Sequence, residues 1–222
     1  MPVRAVLLDA LGTLVRLEPP APRLREELRR RGVEVDEETA ARGMAAEIAY
    51  YLEHHMEGRD SASLERLRDR CADALAGALG VPGLSGPDVR GPLLESLRFG
   101  VYPDVQPALR ELRRRGLRLV VASNWDCSLG GRLEEVGLMG LLDGAVSSAV
   151  VGEAKPARAV FLAALRLAGV GRRQALHVGD SLPGDVEGAR AAGLRAVLLV
   201  RDGEPPPGVP AVRSLAEVPS LT

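Results

Sequence analysis

The chain has 222 residues with 29 basic against 30 acidic side chains, net −1, so no bulk electrostatic drive carries it to nucleic acid or an anionic membrane. Hydrophobic residues make up 46%, which excludes a disordered or low-complexity protein, and aromatics only 3%, so the core must rest on Leu, Val and Ala. No apolar stretch approaches the roughly 20 residues of a membrane span, Met1-Pro2-Val3-Arg4 runs straight into a strand-like segment without a signal-peptide pattern, and Cys71 and Cys127 make no disulfide framework; the expectation is a cytoplasmic protein.

Val3 to Leu8 is a short apolar run broken only by Arg4, the pattern of a strand covered on both faces. From Pro19 to Leu97 the texture is helical. Arg23 to Arg31, Glu37 to Glu57, Leu64 to Leu79 and Pro87 to Leu97 read as amphipathic helices, with Asp36 and Ser61 as N-caps and Gly32, Gly58 and Gly80 as punctuation. After Tyr102-Pro103 strands and helices alternate: helix Pro103 to Arg115, strand Leu117 to Ser123, helix Leu129 to Val136, strand Gly144 to Ser148 and helix Ala157 to Ala168. Strand Gln174 to Val178, helix Asp185 to Ala192 and strand Arg195 to Val200 follow, and the tail beyond Gly203 reads mostly as loop. Such alternation predicts a Rossmann-like, doubly wound parallel α/β sheet, built from residues 1–15 and 101–222 around an inserted all-helical segment, 16–100.

In a sheet of this kind chemistry collects at the carboxyl ends of the strands. There the chain offers Asp9-Ala10-Leu11-Gly12-Thr13-Leu14, then Ser123-Asn124, then Lys155-Pro156, then Gly179-Asp180-Ser181-Leu182-Pro183-Gly184-Asp185. Lys155 is the only lysine and Asn124 the only asparagine, both placed against an arginine-rich, asparagine-poor background. Clustered carboxylates repel unless a cation sits among them, and Asp9, Asp180 and Asp185 supply the hard oxygens that suit Mg²⁺ shared with a phosphate. Lys155 supplies a point charge for another phosphate oxygen, and Ser123 with the N–H groups around Leu11 and Asn124 supplies hydrogen bonds. Asp9 is the nucleophile candidate, because Gly12-Thr13 provides a tight turn that exposes its carboxylate.

The series D-A-L-G-T-L, S-N, K-P and G-D-S-x-x-x-D, in that order over nearly the whole chain, resembles the four motifs of the haloacid dehalogenase-like hydrolase superfamily, in the subfamily with a helical cap between the first two. The resemblance implies an Mg²⁺-dependent phosphatase acting on a small phosphorylated substrate through an aspartyl-phosphate. Asp9 would be the nucleophile, Ser123 and Lys155 would bind phosphate with Asn124 beside them, and the metal would be held by Asp9, Asp180 and the main-chain carbonyl of Leu11, with Asp185 acting through water. The departure from the family pattern is Leu11, where phosphatases of the family carry a second aspartate as acid and base. Loss of a positioned acid/base slows a reaction by roughly 10²–10⁴, which predicts a slow phosphatase and leaves two alternatives: a phosphate-binding interaction protein, or a 2-haloacid dehalogenase that needs no metal. Retention of Asp180 and Asp185 disfavours the dehalogenase, and the absence of lysine from 16–100 excludes a Schiff-base phosphonatase.

Other residues read as structural. Leu11 itself is assigned to core packing, Trp125 to core filling, Asp126 to capping of the next helix, His177 to a satisfied strand histidine, and His54-His55 to a solvated helix end. Cys71 is taken as buried helix packing and Cys127 as inert. The Arg29–Arg31 and Arg113–Arg115 runs are solvated helix C-termini. Gly179-Asp180-Ser181-Leu182 also spells an esterase block, but no histidine follows His177 to serve Ser181 as base.

Overall fold

A computed structural model describes residues 2–222. Its elements in chain order are β1 (Ala5–Leu8), β2 (Val15–Leu17), α1 (Pro20–Arg30), α2 (Glu37–His54), α3 (Ser61–Leu79), α4 (Gly86–Ser96), β3 (Phe99–Val101) and α5 (Val105–Arg114). There follow β4 (Arg118–Ser123), α6 (Leu129–Glu135), β5 (Gly144–Ser147), α7 (Ser148–Val151), α8 (Arg158–Ala168), β6 (Ala175–Gly179), α9 (Gly188–Ala191), β7 (Arg195–Leu199) and β8 (Ala211–Val212).

All four residues of β1 are inaccessible to solvent, as a strand flanked by helices on both faces requires. It pairs in parallel with β4 on one side and β6 on the other, and the whole sheet runs β5-β4-β1-β6-β7-β8. One face packs Leu7, Val120 and Ala122 against Val160, Phe161 and Ala164 of α8 and Ala189 of α9. The fold is therefore a doubly wound, Rossmann-like parallel sheet. Because the strand order turns outward in both directions from β1, the loops after β1, β4 and β6 share one sheet edge at the topological switch point.

The chain divides into two compact units, one running from the N-terminus to Arg16 and then over Val101–Thr222, the other over Leu17–Gly100. In the second, α1, α2, α3 and α4 pack on one another. Gly43 permits the approach of α2 to α3, since a Cβ there would lie 2.9 Å from methyl carbons of both Leu75 and Leu79. Asp36 caps α2 by accepting from the Thr39 N–H at 2.7 Å. The cap of α3 is Asp60 rather than Ser61: its carboxylate accepts from the Ser63 N–H at 2.8 Å and Ser63 Oγ accepts from the Asp60 N–H. Glu26, Glu27 and Glu111 pair with the two arginine runs at helical spacing, so those runs are solvated faces.

Two further readings need correction. The tail is more ordered than a loop, because it contributes β8 and a 3₁₀ segment over Leu215–Leu221. The helix expected from Asp185 begins earlier, as a π-helical turn over Leu182–Glu187 that leads into α9. Among the described residues no helix is long and apolar enough to cross a membrane.

Glu47 on α2 is buried, and burial lifts its carboxyl to about 7 against a hydrogen bond with Cys71 that favours the ionised form. An acid whose folded pKa lies above its unfolded value of about 4.5 leaves stability intact below that value and erodes it as pH rises toward 7. Glu47→Gln should therefore exceed the wild type by less than about 1 kcal/mol at pH 5 and by on the order of 3 kcal/mol at pH 8 in urea unfolding. Equal stabilities at both pH values would show that the carboxyl does not titrate in this interval.

Candidate active site

Asp9 follows directly on β1, and its N–H continues the parallel ladder by donating to Val178 O at 2.9 Å. The chain then turns tightly: Leu14 and Val15 both donate to Ala10 O, and Gly12 donates to Val15 O at 2.8 Å. Gly12 has φ +82°, a left-handed conformation that glycine takes without strain. It also makes room, because a Cβ there would lie 2.1 Å from Asp180 Oδ2. Gly179 plays the same part for Asp185, whose carboxylate carbon lies 2.2 Å from the position of a Cβ. Two of the acids thus rest on bare glycine backbone.

A single ammonium joins two of the carboxylates. Lys155 Nζ donates to Asp9 Oδ1 and to Asp185 Oδ1, each at 2.6 Å, with all three side chains buried. Ser123, the last residue of β4, donates its hydroxyl to the same Asp9 oxygen at 2.9 Å. Asp185 also accepts from His177 Nε2 at 2.8 Å and, through Oδ2, from the Ser181 N–H at 3.0 Å. Asp9, Asp180 and Asp185 each present an oxygen within 4.8 Å of the others.

Three carboxylates against one ammonium leave two negative charges, and the acidities record the imbalance. Burial, reinforced by Asp185, raises the Asp9 carboxyl in spite of Lys155 and Ser123. Burial would lower Lys155, but Asp9 and Asp185 override it and hold the ammonium above the ordinary lysine value. Burial would likewise raise Asp185, yet His177 and Lys155 keep it well below the usual carboxylate range. Asp180 is exposed as a residue, but its carboxylate lies against Gly12; withdrawal from water, then Asp9 and Asp185, push it up to about 6. A hard divalent cation fits this set on two counts, oxygen donors and residual charge.

The remaining candidates divide. Asn124 spends its side chain on the backbone of Lys155, donating Nδ2–H to Lys155 O at 3.1 Å and accepting the Lys155 N–H at 2.7 Å. It therefore fixes the loop that carries the ammonium. Leu11 is not core: its residue is 41% exposed, beside the acidic cluster in sequence but with no polar side-chain atom to add. Asp126 does not cap α6 directly; it accepts from the Ser128 N–H at 2.7 Å in a turn one step earlier. Trp125 is buried, with its backbone carbonyl held by Ser147 and Ser148 hydroxyls.

His177 is the residue that sequence reasoning missed. Its Nε2 lies 2.8 Å from Asp185 Oδ1, and its buried Nδ1 has no hydrogen-bond partner. It stands edge-on to Phe161 at 5.0 Å between ring centroids. The available signal was its place in β6 two residues before Gly179, which puts both on one face of the strand under Asp185.

Fold and site together define a Rossmann-like α/β enzyme with its polar cluster at the switch point. A family model described as haloacid dehalogenase-like hydrolase matches residues 3–193, and the chain belongs to that family. The glyceraldehyde 3-phosphate phosphatase of Methanopyrus kandleri is 30% identical over 210 residues, which is 90% of this chain and 84% of that protein. Phosphatase MT3486 of Mycobacterium tuberculosis is 38% identical over 122 residues, and there the match spans 54% of this chain and 55% of the relative's length. The solved L-2-haloacid dehalogenase RSc1362 superposes with a TM-score of 0.70 at 26% identity, covering 100% of this chain and 99% of its own. The protein is accordingly a hydrolase.

Lys155→Met should cost on the order of 3–5 kcal/mol in urea unfolding at pH 7.5, since it leaves buried carboxylates without their cation. Superimposable unfolding curves would show that the ammonium does not neutralise the cluster.

Proposed function

We propose that this chain is an Mg²⁺-dependent phosphatase of small phosphorylated metabolites that works through an aspartyl-phosphate on Asp9. The observation that carries the reading is the buried Asp9 carboxylate, bonded through Oδ1 to Lys155 and Ser123 and within 4.8 Å of oxygens on Asp180 and Asp185. A phosphatase name on a relative aligned over 90% of the chain supports it. The metal would be held by Asp9, Asp180 and the Leu11 carbonyl, with Asp185 behind them. Its charge would offset both the acids and the substrate phosphate.

Lys155 and the Ser123 hydroxyl bind the phosphate oxygens and orient phosphorus toward Asp9. One Asp9 oxygen attacks, the phosphorus–oxygen ester bond breaks, and the leaving oxygen takes its proton from water, because Leu11 has none to give. Water then hydrolyses the aspartyl-phosphate and returns the carboxylate. Asn124 keeps Lys155 in place throughout, and His177 with Ser181 keeps Asp185 aimed. We assign the helical insertion, residues 16–100, to substrate selection.

A second reading, carbon–halogen hydrolysis by the same carboxylate, is favoured by Leu11 and by the likeness to the solved L-2-haloacid dehalogenase RSc1362. Metal-dependent phosphate release from a panel that includes glyceraldehyde 3-phosphate tests the two. Asp9→Asn should lower kcat at least about a thousandfold, and Leu11→Asp should raise it by roughly 10²–10⁴. Absence of phosphate release, or release that survives Asp9→Asn, overturns the proposal, and halide release from a 2-haloacid without a divalent cation assigns the alternative.

A further inference from the structure

Arg201 stands two residues beyond β7 and outside the segment matched by the family model, 3–193. Its guanidinium is largely withdrawn from solvent and every part of it is engaged. Nε donates to Gly12 O at 3.1 Å and one terminal nitrogen to Thr13 O at 2.6 Å. The other terminal nitrogen bridges both carboxylate oxygens of Asp104, at 3.1 and 3.2 Å. The plane covers the Tyr102 ring, with Cζ 3.7 Å from its centroid. Asp104 is itself anchored to the tail, accepting from the Ser214 hydroxyl at 2.9 Å and the Leu215 N–H at 2.8 Å. Burial would raise its carboxyl, but these donors and Arg201 hold it below the ordinary aspartate value.

Gly12 and Thr13 are ordinary loop residues apart from what they adjoin. Gly12 is the left-handed residue of the turn after Asp9, and its bare Cα supports the Asp180 carboxylate. Both carbonyls take a donor from the guanidinium, which ties this turn to the core alongside the Tyr102 N–H that donates to Leu14 O at 3.2 Å and the buried Thr13 and Leu14 side chains. A planar fork with five donors can hold two successive carbonyls and a carboxylate at once, which a lysine cannot do.

From these contacts we infer that Arg201 is a positioning residue. Clamped between Asp104 and the Gly12–Thr13 carbonyls, it fixes the turn that sets Asp9 and Asp180 relative to one another. The link to catalysis rests on the function proposed above; the link to the turn does not. Groups one step removed from metal ligands typically change metal affinity by about 10–100-fold when lost.

The experiment uses the full chain as Arg201→Gln, Arg201→Lys and Asp104→Asn, with amide hydrogen exchange across residues 10–15 as the first readout. Arg201→Gln should speed exchange there at least about tenfold while β4 and α8 stay protected. Arg201→Lys, which can reach only one carbonyl, should fall between Gln and wild type, and Asp104→Asn should follow it. The second readout is the thermal shift produced by MgCl₂: Arg201→Gln should need about 10–100-fold more Mg²⁺ for the same shift, with kcat lowered more than KM is raised. Unchanged exchange over 10–15, with loss of protection confined to residues 201–215, overturns the inference. A wild type without any Mg²⁺-dependent shift overturns the metal-dependent function instead, and the exchange result then still decides the role of Arg201. Altered exchange with an unaltered Mg²⁺ titration would overturn the step from turn to metal.

Discussion

One ammonium shared by two buried carboxylates governs this site. Lys155 is within 2.6 Å of both Asp9 and Asp185, and no other lysine exists in the chain to replace it. Three strands are committed to that meeting: β1 delivers Asp9, β6 delivers the turn that returns Asp185, and β4 delivers the Ser123-Asn124 pair that orients acid and ammonium alike. A buried pair of this kind tolerates little slack, because the desolvation of each charge is offset only while the partner stays in contact. It follows that the backbone around the pair must be over-determined. Asn124 bonds both the N–H and the carbonyl of Lys155, and Ser181 closes the π-helical turn onto Asp185.

The parallel sheet was legible because its central strands are short, mainly apolar runs that alternate with segments of period about 3.6. The helical insertion was legible for the complementary reason, a long stretch without alternation. What escaped was local. Asp60 and Ser61 are both acceptable caps by residue type, and only the reciprocal bonds with Ser63 decide between them. The π turn at Leu182 has no signature in hydrophobic period, since its cause is the return of Asp185 over Gly179. The order of the tail depends on Asp104, more than a hundred residues away in sequence, which no local pattern can announce.

For the site, the acids and the lysine were visible as residue types at strand ends, whereas their supports were not. Asn124 looked like a phosphate neighbour and proves to hold backbone. His177 looked like a satisfied core histidine and lies under Asp185 with one nitrogen unspent. In both cases the side chain's partner comes from another loop, 31 residues on for Asn124 and 8 for His177. Partnership across loops is a property of the sheet order, and sheet order is not written in any single segment.

Leu11 shows how little of a site need change to alter its chemistry. The turn from Asp9 to Val15 keeps its hydrogen bonds and its left-handed glycine, so an aspartate at position 11 would demand no new backbone. The side chain is exposed, so leucine gains little by burial there and its presence is not explained by packing. Under the proposed mechanism the consequence falls on both half-reactions. With no acid beside the leaving oxygen, esters of acidic alcohols and acyl phosphates lose least, because their leaving groups need the least protonation. With no base to draw a proton from water, breakdown of the aspartyl-phosphate is slowed as well, and the covalent state gains lifetime relative to the free enzyme. The same carboxylate cluster that makes attack on phosphorus feasible therefore leaves the second half of the cycle to unaided water, and turnover is set by the residue that is missing.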